Sequence, residues 1–371
     1  MSDAIKPIGM PKWGLAMTEG KVNAWLVEEG ATITEGDEIL EIETSKITNV
    51  FESPVTGTLR RKVASEGETL PVGALLGVVA DASVSDAELD AFVEQTRQAQ
   101  AEAAAEAPPP EPVLTEAEGW TVRNLRMGPE EGVPLVLIHG FGGDLLSWQF
   151  NQPDLAADRP VVALDLPGHG GSSKSVTGGD VAWLAAQVRS ALAALGIGRA
   201  HLAGQSLGGA VALQMALDEP DRIASVSLVC PSGLGREINM DYIGGFIAAD
   251  RRREMKATVE ALFVDPAFVS RDMVDDLLKY KRLDGVLAAL RTIADAVFAG
   301  GQQAQVFTDR LATMKPPVQV IWGEADRIIP AAHAQAVPTR HVLPGTGHMV
   351  HIERPAEVNR LIAEFAAAAD R

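Results

Sequence analysis

An eight-residue run, Glu29-Gly30-Ala31-Thr32-Ile33-Thr34-Glu35-Gly36, returns as Glu66-Gly67-Glu68-Thr69-Leu70-Pro71-Val72-Gly73. Both glycines recur at the same interval of 37 residues, from Gly30 to Gly67 and from Gly36 to Gly73. Each copy then enters an apolar stretch, Glu38-Ile39-Leu40-Glu41-Ile42 in the first and Ala74-Leu75-Leu76-Gly77-Val78-Val79 in the second. A duplicated order of glycine turns and short apolar runs predicts two similar half-sheets that bury a shared core. Between the halves, where the chain must turn, stands Lys46 in Glu43-Thr44-Ser45-Lys46-Ile47. A lysine at an exposed hairpin tip suits the attachment of a group that must swing. An ordinary surface lysine in a turn has the same spacing.

Residues 1–80 keep this strand-and-glycine character, and then the composition changes. Residues 86–107 are polar and alanine-rich, which predicts partial helix, and Pro108-Pro109-Pro110-Glu111-Pro112 ends it in extended geometry. Residues 81–118 therefore read as a linker with a semi-rigid end. The alternative is a helix packed on a neighbouring domain through Leu89, Phe92 and Val93. From residue 119 to 371, apolar runs alternate with helical segments. Pro134-Leu135-Val136-Leu137-Ile138-His139-Gly140, Pro160-Val161-Val162-Ala163-Leu164-Asp165, Ala200-His201-Leu202-Ala203-Gly204, Ile223-Ala224-Ser225-Val226-Ser227-Leu228-Val229 and Val318-Gln319-Val320-Ile321-Trp322 are the strand candidates. Continuous apolar strands separated by helices predict a mostly parallel α/β sheet covered on both faces. Residues 235–310 break the rhythm with charged helical segments. That predicts a helical lid over the C-terminal edge of the sheet, where such sheets bind ligands.

The bulk numbers exclude several classes of function. Across 371 residues the net charge is −18, with 32 Lys and Arg against 50 Asp and Glu and no long basic run. This argues against nucleic acid and anionic membrane surfaces as partners, because both are gripped by clustered cations. The single cysteine, Cys230, permits no intrachain disulfide and no Cys-rich metal centre. The first residues contain no apolar signal core, and no apolar run is long enough to span a bilayer. A cytoplasmic protein without a metal is the expectation.

A second chemical centre lies downstream. Gly204-Gln205-Ser206-Leu207-Gly208-Gly209 follows an apolar strand and precedes the small-residue helix Ala210-Val211-Ala212-Leu213-Gln214-Met215-Ala216. This is the context of a nucleophile elbow, in which flanking glycines let a serine sit in a sharp turn at a helix start. Trp322-Gly323-Glu324-Ala325-Asp326 follows a later strand and supplies the acid Asp326, with Glu324 as its competitor. Gly345-Thr346-Gly347-His348 supplies the base His348, with His351 as its rival. Serine is a weak nucleophile until a histidine takes its proton, and a carboxylate fixes the histidine tautomer. The amides of Phe141, in His139-Gly140-Phe141-Gly142-Gly143, and of Leu207 are placed to hold an oxyanion. Each such donor is typically worth about 2.7–4 kcal/mol. His139 reads as a structural neighbour of that turn. His169, His201, His333 and His341 form no ligand-like cluster, and Cys230 reads as a small buried residue.

These residues resemble two families. Met10-Pro11-Lys12-Trp13-Gly14-Leu15-Ala16-Met17-Thr18-Glu19-Gly20, Glu43-Thr44-Ser45-Lys46 and Pro54-Val55-Thr56-Gly57 are similar to the opening turn, the modification site and the following turn of lipoyl domains. The resemblance implies a small all-β flattened barrel with lipoate on Lys46. Ser45 stands where most members have aspartate, and the methionines that flank a biotinyl lysine are absent. Residues 119–371 resemble the α/β-hydrolases through the oxyanion turn, the elbow, Asp326 and His348. The order of the two domains resembles the acyltransferase components of bacterial acetoin dehydrogenase complexes.

That resemblance implies transfer of an acetyl group from the lipoyl arm to coenzyme A. It implies as partners a thiamine-diphosphate-dependent acetoin-cleaving component and dihydrolipoamide dehydrogenase, with the chain itself a homo-oligomer. The chain lacks the His-x-x-x-Asp-Gly motif of better-known lipoyl-dependent acyltransferases, and residues 81–118 contain no convincing peripheral-subunit-binding domain. Arg251-Arg252-Arg253 and Lys279-Tyr280-Lys281-Arg282 are candidate phosphate contacts for coenzyme A, weighed against solvated helix faces. Two alternatives stay open: a thioesterase or esterase with a carrier domain, and a carrier or assembly subunit with an idle hydrolase domain.

Overall fold

The computed structural model describes residues 5–11, 19–44, 48–105 and 110–371. The chain divides into two units, Met1–Pro109 and Pro110–Arg371. In the first unit the strands are β1 (Ile5–Gly9), β2 (Glu19–Trp25), β3 (Thr32–Ile33), β4 (Glu38–Glu43), β5 (Thr48–Glu52), β6 (Gly57–Lys62), β7 (Thr69–Pro71) and β8 (Leu75–Ala80). They form two four-stranded sheets, ordered β1-β8-β6-β3 and β5-β4-β2-β7.

The repeat in the sequence is the repeat in the fold. Strands β2, β3 and β4 of the first copy correspond to β6, β7 and β8 of the second, each about 37 residues on. Corresponding strands lie in opposite sheets, and β3 and β7 are exchanged so that each pairs with the other copy's equivalent of its neighbour. Gly30, Gly36, Gly67 and Gly73 all have φ between 83° and 92°. A side chain is disfavoured in that region, which is why these four turns require glycine. The sheets enclose Ile8, Val22, Ile33, Ile39, Leu40, Ile42, Leu59, Leu76 and Val79.

Helix α1 (Asp86–Ala105) falls within the segment read as linker and packs on this unit. Ser85 and Glu88 start it with reciprocal side-chain-to-amide hydrogen bonds of 3.3 and 2.9 Å, a capping box. Leu89 is fully buried with Leu75, Val78 and Ala80, and Phe92 and Val93 pack against the same cluster. Arg61 bonds Asp90 at 3.0 Å, and Arg97 donates to the Val63 carbonyl at 2.8 Å. Leu89→Ala is expected to destabilise the first unit by about 2–5 kcal/mol, the usual range for emptying a buried leucine site. Thermal unfolding of the full chain checks this, and an unchanged transition for the first unit would mean that α1 is not held there.

The second unit begins with β9 (Val113–Ala117), which also comes from the segment read as linker, and β10 (Trp120–Met127). Then follow β11 (Leu135–Ile138), α2 (Gln152–Leu155), β12 (Val161–Leu164), α3 (Val181–Ala194), β13 (Ala200–Gln205), α4 (Leu207–Asp218) and β14 (Ile223–Val229). After β14 the chain forms α5 (Met240–Ala248), α6 (Arg252–Val259), α7 (Arg271–Lys281) and α8 (Val286–Val297), then re-enters the sheet as β15 (Val318–Gly323) and β16 (Thr339–Leu343). Helices α9 (Val350–Glu353) and α10 (Pro355–Ala369) complete it.

The eight strands are ordered β16-β15-β14-β13-β11-β12-β10-β9. Strands β16 through β12 in that order are parallel, while β10 runs antiparallel to both β12 and β9. Every residue of β11, β12, β13 and β14 is buried, as expected for strands covered on both faces. From β11 the chain goes first to β12 on one side and then to β13 on the other, so the direction of winding reverses there. In open α/β sheets the crevice at such a reversal, at the C-terminal strand ends, is where ligands bind. Among the described residues, no helix is long and apolar enough to cross a membrane.

Candidate active site

Ser206 lies between β13 and α4 with φ 51° and ψ −117°, one of two non-glycine residues with positive φ among the described residues. Such a conformation costs on the order of 1–3 kcal/mol and persists only where the surroundings enforce it. Here the enforcement is glycine packing. A Cβ on Gly204 would lie 2.3 Å from the Gly208 carbonyl oxygen, and one on Gly208 would lie 2.2 Å from that of Ile138. The two glycines therefore let strand, turn and helix approach closely enough to force the serine outward. The backbone is pinned by Ser206 N–H donating to Val229 O at 3.0 Å and Ser232 N–H donating to Ser206 O at 2.9 Å.

The turn after β11 that contains Phe141 lies against this elbow. A Cβ on Gly140 would come within 2.9 Å of Ser206 Cβ. Phe141 is buried at the end of β11, and the Leu207 amide opens α4, where first-turn N–H groups have no intrahelical partner. His139 supports the turn. Its Nε2 accepts from Leu166 N–H at 3.0 Å, which fixes the proton on Nδ1, and Nδ1–H donates to Gly140 O at 2.7 Å. Complete burial pushes its pKa down to about 4, so it stays neutral. His169 packs 5.1 Å from it and is held near 3, again by burial.

Asp326, beyond β15, and His348, beyond β16, meet at 2.8 Å between Oδ2 and Nδ1. A carboxylate only accepts, so Nδ1 carries the proton and Nε2 is left as the basic nitrogen. Both side chains are buried, at 0% and 3% exposure. Burial by itself would raise the Asp326 carboxyl, but His348 and the Ile328 and Ile329 amides outweigh it and hold the group below the usual carboxylate range. Oδ1 accepts those two amides at 2.8 and 3.0 Å. Glu324, the competing acid, is exposed. His351 packs on Trp148 with ring centroids 4.6 Å apart and ring planes tilted by 41°, and burial keeps it neutral with a pKa of about 3.

Among the described residues no hydrogen bond joins Ser206 Oγ to His348. Such contacts commonly tighten only when substrate is bound. Lys46, with Ser45 and Ile47, lies outside the described residues, as do residues 12–18 of the opening turn. The flanking strands β4 and β5 pair in antiparallel register with Glu43 opposite Thr48, and residues 44–47 connect them. The two basic segments weighed for coenzyme A are largely occupied: Arg252 pairs with Asp275, Lys279 pairs with Asp276 at 2.8 Å, and Lys281 is buried with its ammonium on Ala249 O.

Two residues near the pair carry no sequence signal of their own. Trp322 Nε1–H donates to Asp326 Oδ2 at 3.0 Å, the same oxygen that His348 uses. Only the spacing of four residues along the strand end could have suggested it. Removing this charge-assisted donor with Trp322→Phe is expected to cost about 1.5 kcal/mol, or roughly a tenfold slower acylation by p-nitrophenyl acetate. Pre-steady-state kinetics would show it, and an unaltered burst rate counts against the role. Cys230 sits behind the pair, with φ 42° and its Sγ accepting from Gly323 N–H at 3.4 Å. Ligand atoms of Cys230, Asp326 and His348 all lie within 4.8 Å of one another. Burial, and then Asp326, raise the thiol well above its ordinary value. A metal would need the thiolate, so the cluster fits an acid–base pair with a protonated thiol behind it.

A strained serine at a strand–helix turn, a buried acid–histidine pair and an adjacent amide turn on a mostly parallel sheet define an α/β-hydrolase unit, here preceded by a duplicated β unit. Residues 135–361 match the alpha/beta hydrolase family and residues 6–79 the biotin-requiring enzyme family. The chain is 48% identical, over 97% of its length and 98% of the relative's, to the dihydrolipoyllysine-residue acetyltransferase component of the acetoin cleaving system of Pseudomonas putida. It is 49% identical to the corresponding component from Cupriavidus necator, over 98% and 97% of the two chains. The chain belongs to this family of acetyltransferase components.

Solved structures agree on the fold of the second unit. A meta-cleavage product hydrolase from Pseudomonas fluorescens superimposes with a TM-score of 0.63 at 20% identity, over 69% of this chain and 98% of that one. A 2-hydroxy-6-oxo-6-phenylhexa-2,4-dienoate hydrolase from Rhodococcus gives 0.62 at 24% identity, over 69% and 99%.

Proposed function

We propose that this chain, as a component of an acetoin cleaving system, takes up an acetyl group at Lys46 and passes it to coenzyme A through an ester on Ser206. The observation that carries the reading is the Asp326–His348 pair at 2.8 Å in a chain that also contains a carrier unit. Lipoate on Lys46 would supply, in its reduced form, a thiol that carries the acetyl group as a thioester. The antiparallel pairing of β4 and β5 brings the ends of the 44–47 connection together, as a carrier lysine at a hairpin requires.

The chain's own residues then divide the transfer into two steps. Ser206 Oγ attacks the thioester carbonyl carbon while His348 Nε2 takes its proton, and the amides of Phe141 and Leu207 bind the developing oxyanion. The carbon–sulfur bond breaks, and His348 returns the proton to the leaving thiolate. Next, His348 takes the proton from the thiol of coenzyme A, whose sulfur attacks the Ser206 ester. The carbon–oxygen bond breaks, and Ser206 recovers its proton. Asp326 holds the Nδ1–H tautomer throughout and stabilises the imidazolium. The acetoin-cleaving component and dihydrolipoamide dehydrogenase are the expected partners.

The deciding experiment presents an acetyl-dihydrolipoyl donor with and without coenzyme A and measures acetyl-coenzyme A and free acetate. The proposal expects product that depends on coenzyme A and an acetylated Ser206 in its absence. Rapid release of acetate to water without coenzyme A would favour the thioesterase reading.

A further inference from the structure

The segment between β14 and β15 does more than cover the sheet edge: Glu260, Leu262, Phe263 and Val264 grip both loops that carry the acid and the base. Residues 260–262 form a short 3-10 turn after α6, and Phe263 is buried beyond it. From the base side, the Leu262 carbonyl accepts two amides, His348 N–H at 2.9 Å and Met349 N–H at 3.2 Å. The approach is so close that a Cβ on Gly347 would lie 2.8 Å from that carbonyl oxygen. From the acid side, the Arg327 guanidinium donates to the carbonyls of Glu260, at 2.5 Å, and of Phe263.

One carboxylate closes this arrangement. Glu353, at the end of α9, accepts the Gly347 amide on Oε2 at 2.5 Å and the Val264 amide on Oε1 at 2.8 Å. It is the side chain that joins the turn before His348 to the inserted segment. The geometry points to Glu353 as a positioning residue that sets His348 by locking its turn to residues 262–264 of the insertion. This rests on the reading of His348 as the base of Ser206. Removing the carboxylate leaves two backbone donors without their acceptor, one of them next to the base. The hydrogen bond to Asp326 fixes only one end of the imidazole ring, so the backbone at residues 347–348 decides where Nε2 points. Transfer is sensitive to such placement, because a displacement of the order of an ångström is enough to slow it.

The test uses the full chain and p-nitrophenyl acetate, with Ser206→Ala, Glu353→Ala and Glu353→Gln in parallel. Glu353→Ala is expected to lower kcat roughly 100-fold with KM unchanged, and to move the low-field proton resonance of His348 Nδ1–H. Glu353→Gln keeps one carbonyl acceptor for the two amides and should recover part of the rate. Wild-type kcat in a folded Glu353→Ala protein, or a rise in KM without loss of kcat, overturns the assignment. If Glu353→Ala does not fold, Glu353→Gln decides alone: an unchanged kcat and resonance reject the role, and a partial loss with a shifted resonance supports it. Ser206→Ala separates the two levels. Full activity there overturns the serine reading and this inference with it. An inactive Ser206→Ala beside unaffected Glu353 variants overturns only the positioning role.

Discussion

Ser206→Ala is expected to abolish coenzyme A-dependent acetyl transfer, a loss of about 10⁴–10⁶-fold, the scale on which removing a triad nucleophile acts. The size follows from the mechanism. Without Oγ there is no ester intermediate, and His348 has no hydroxyl proton to take from the chain itself. The turn proposed to bind the oxyanion remains, because its geometry depends on Gly140, His139 and the Leu207 amide rather than on the hydroxyl. Some residual rate is therefore expected. Replacement also leaves the strained φ at residue 206 in place, so the variant should fold with little change in Tm. Intact-mass measurement during turnover gives the second readout: the native chain accumulates an acetyl group on Ser206 when coenzyme A is withheld, and the variant does not. Acetyl transfer at the native rate in Ser206→Ala would reject the serine mechanism and leave the hydrolase unit as an assembly element.

Lys46→Arg is expected to remove carrier-dependent transfer completely. Arginine keeps the charge but cannot form the amide bond to lipoate, so intact mass should show no lipoyl group. Acylation of Ser206 by p-nitrophenyl acetate should continue, because Ser206, Asp326 and His348 all belong to the second unit. This pattern, loss of one activity with retention of the other, separates delivery from chemistry. Retained acetyl transfer from acetoin cleavage in Lys46→Arg would exclude Lys46 as the carrier.

The legible parts of this chain are those where local backbone geometry restricts the residue. Four glycines in two copies of one pattern mark four turns with positive φ, and the order of strands around them follows the repeat. The elbow was legible for the same reason: Gly204 and Gly208 stand where any side chain would strike backbone. The five apolar runs picked out as strands are β11, β12, β13, β14 and β15. What was not legible depended on partners far along the chain. Strand β9 follows a proline-rich run and exposes Val113 and Leu114, so nothing in its own composition marks it as a sheet edge. It is defined by pairing with β10. Helix α1 reads in isolation either as a tether or as a helix packed through Leu89, Phe92 and Val93, and the choice between them depends on Leu75, Val78 and Arg61 of the strands before it.

By itself, the sequence determined two β half-sheets around Lys46, a parallel α/β sheet after them, and a serine, an acid and a histidine in workable order. Spacing and glycine placement are enough for that, because turns and periodicity are local. Only the tertiary structure decided which carboxylate and which histidine meet. Asp326 and Glu324 are two residues apart, yet one is buried against an imidazole and the other is exposed. His348 and His351 are three apart, yet one faces Asp326 and the other packs against Trp148. The same is true of Arg327 and Glu353, which bond to residues 260–264 of the insertion. Hydrogen-bond direction and burial arise from the packing of distant segments, and a one-dimensional pattern does not contain them.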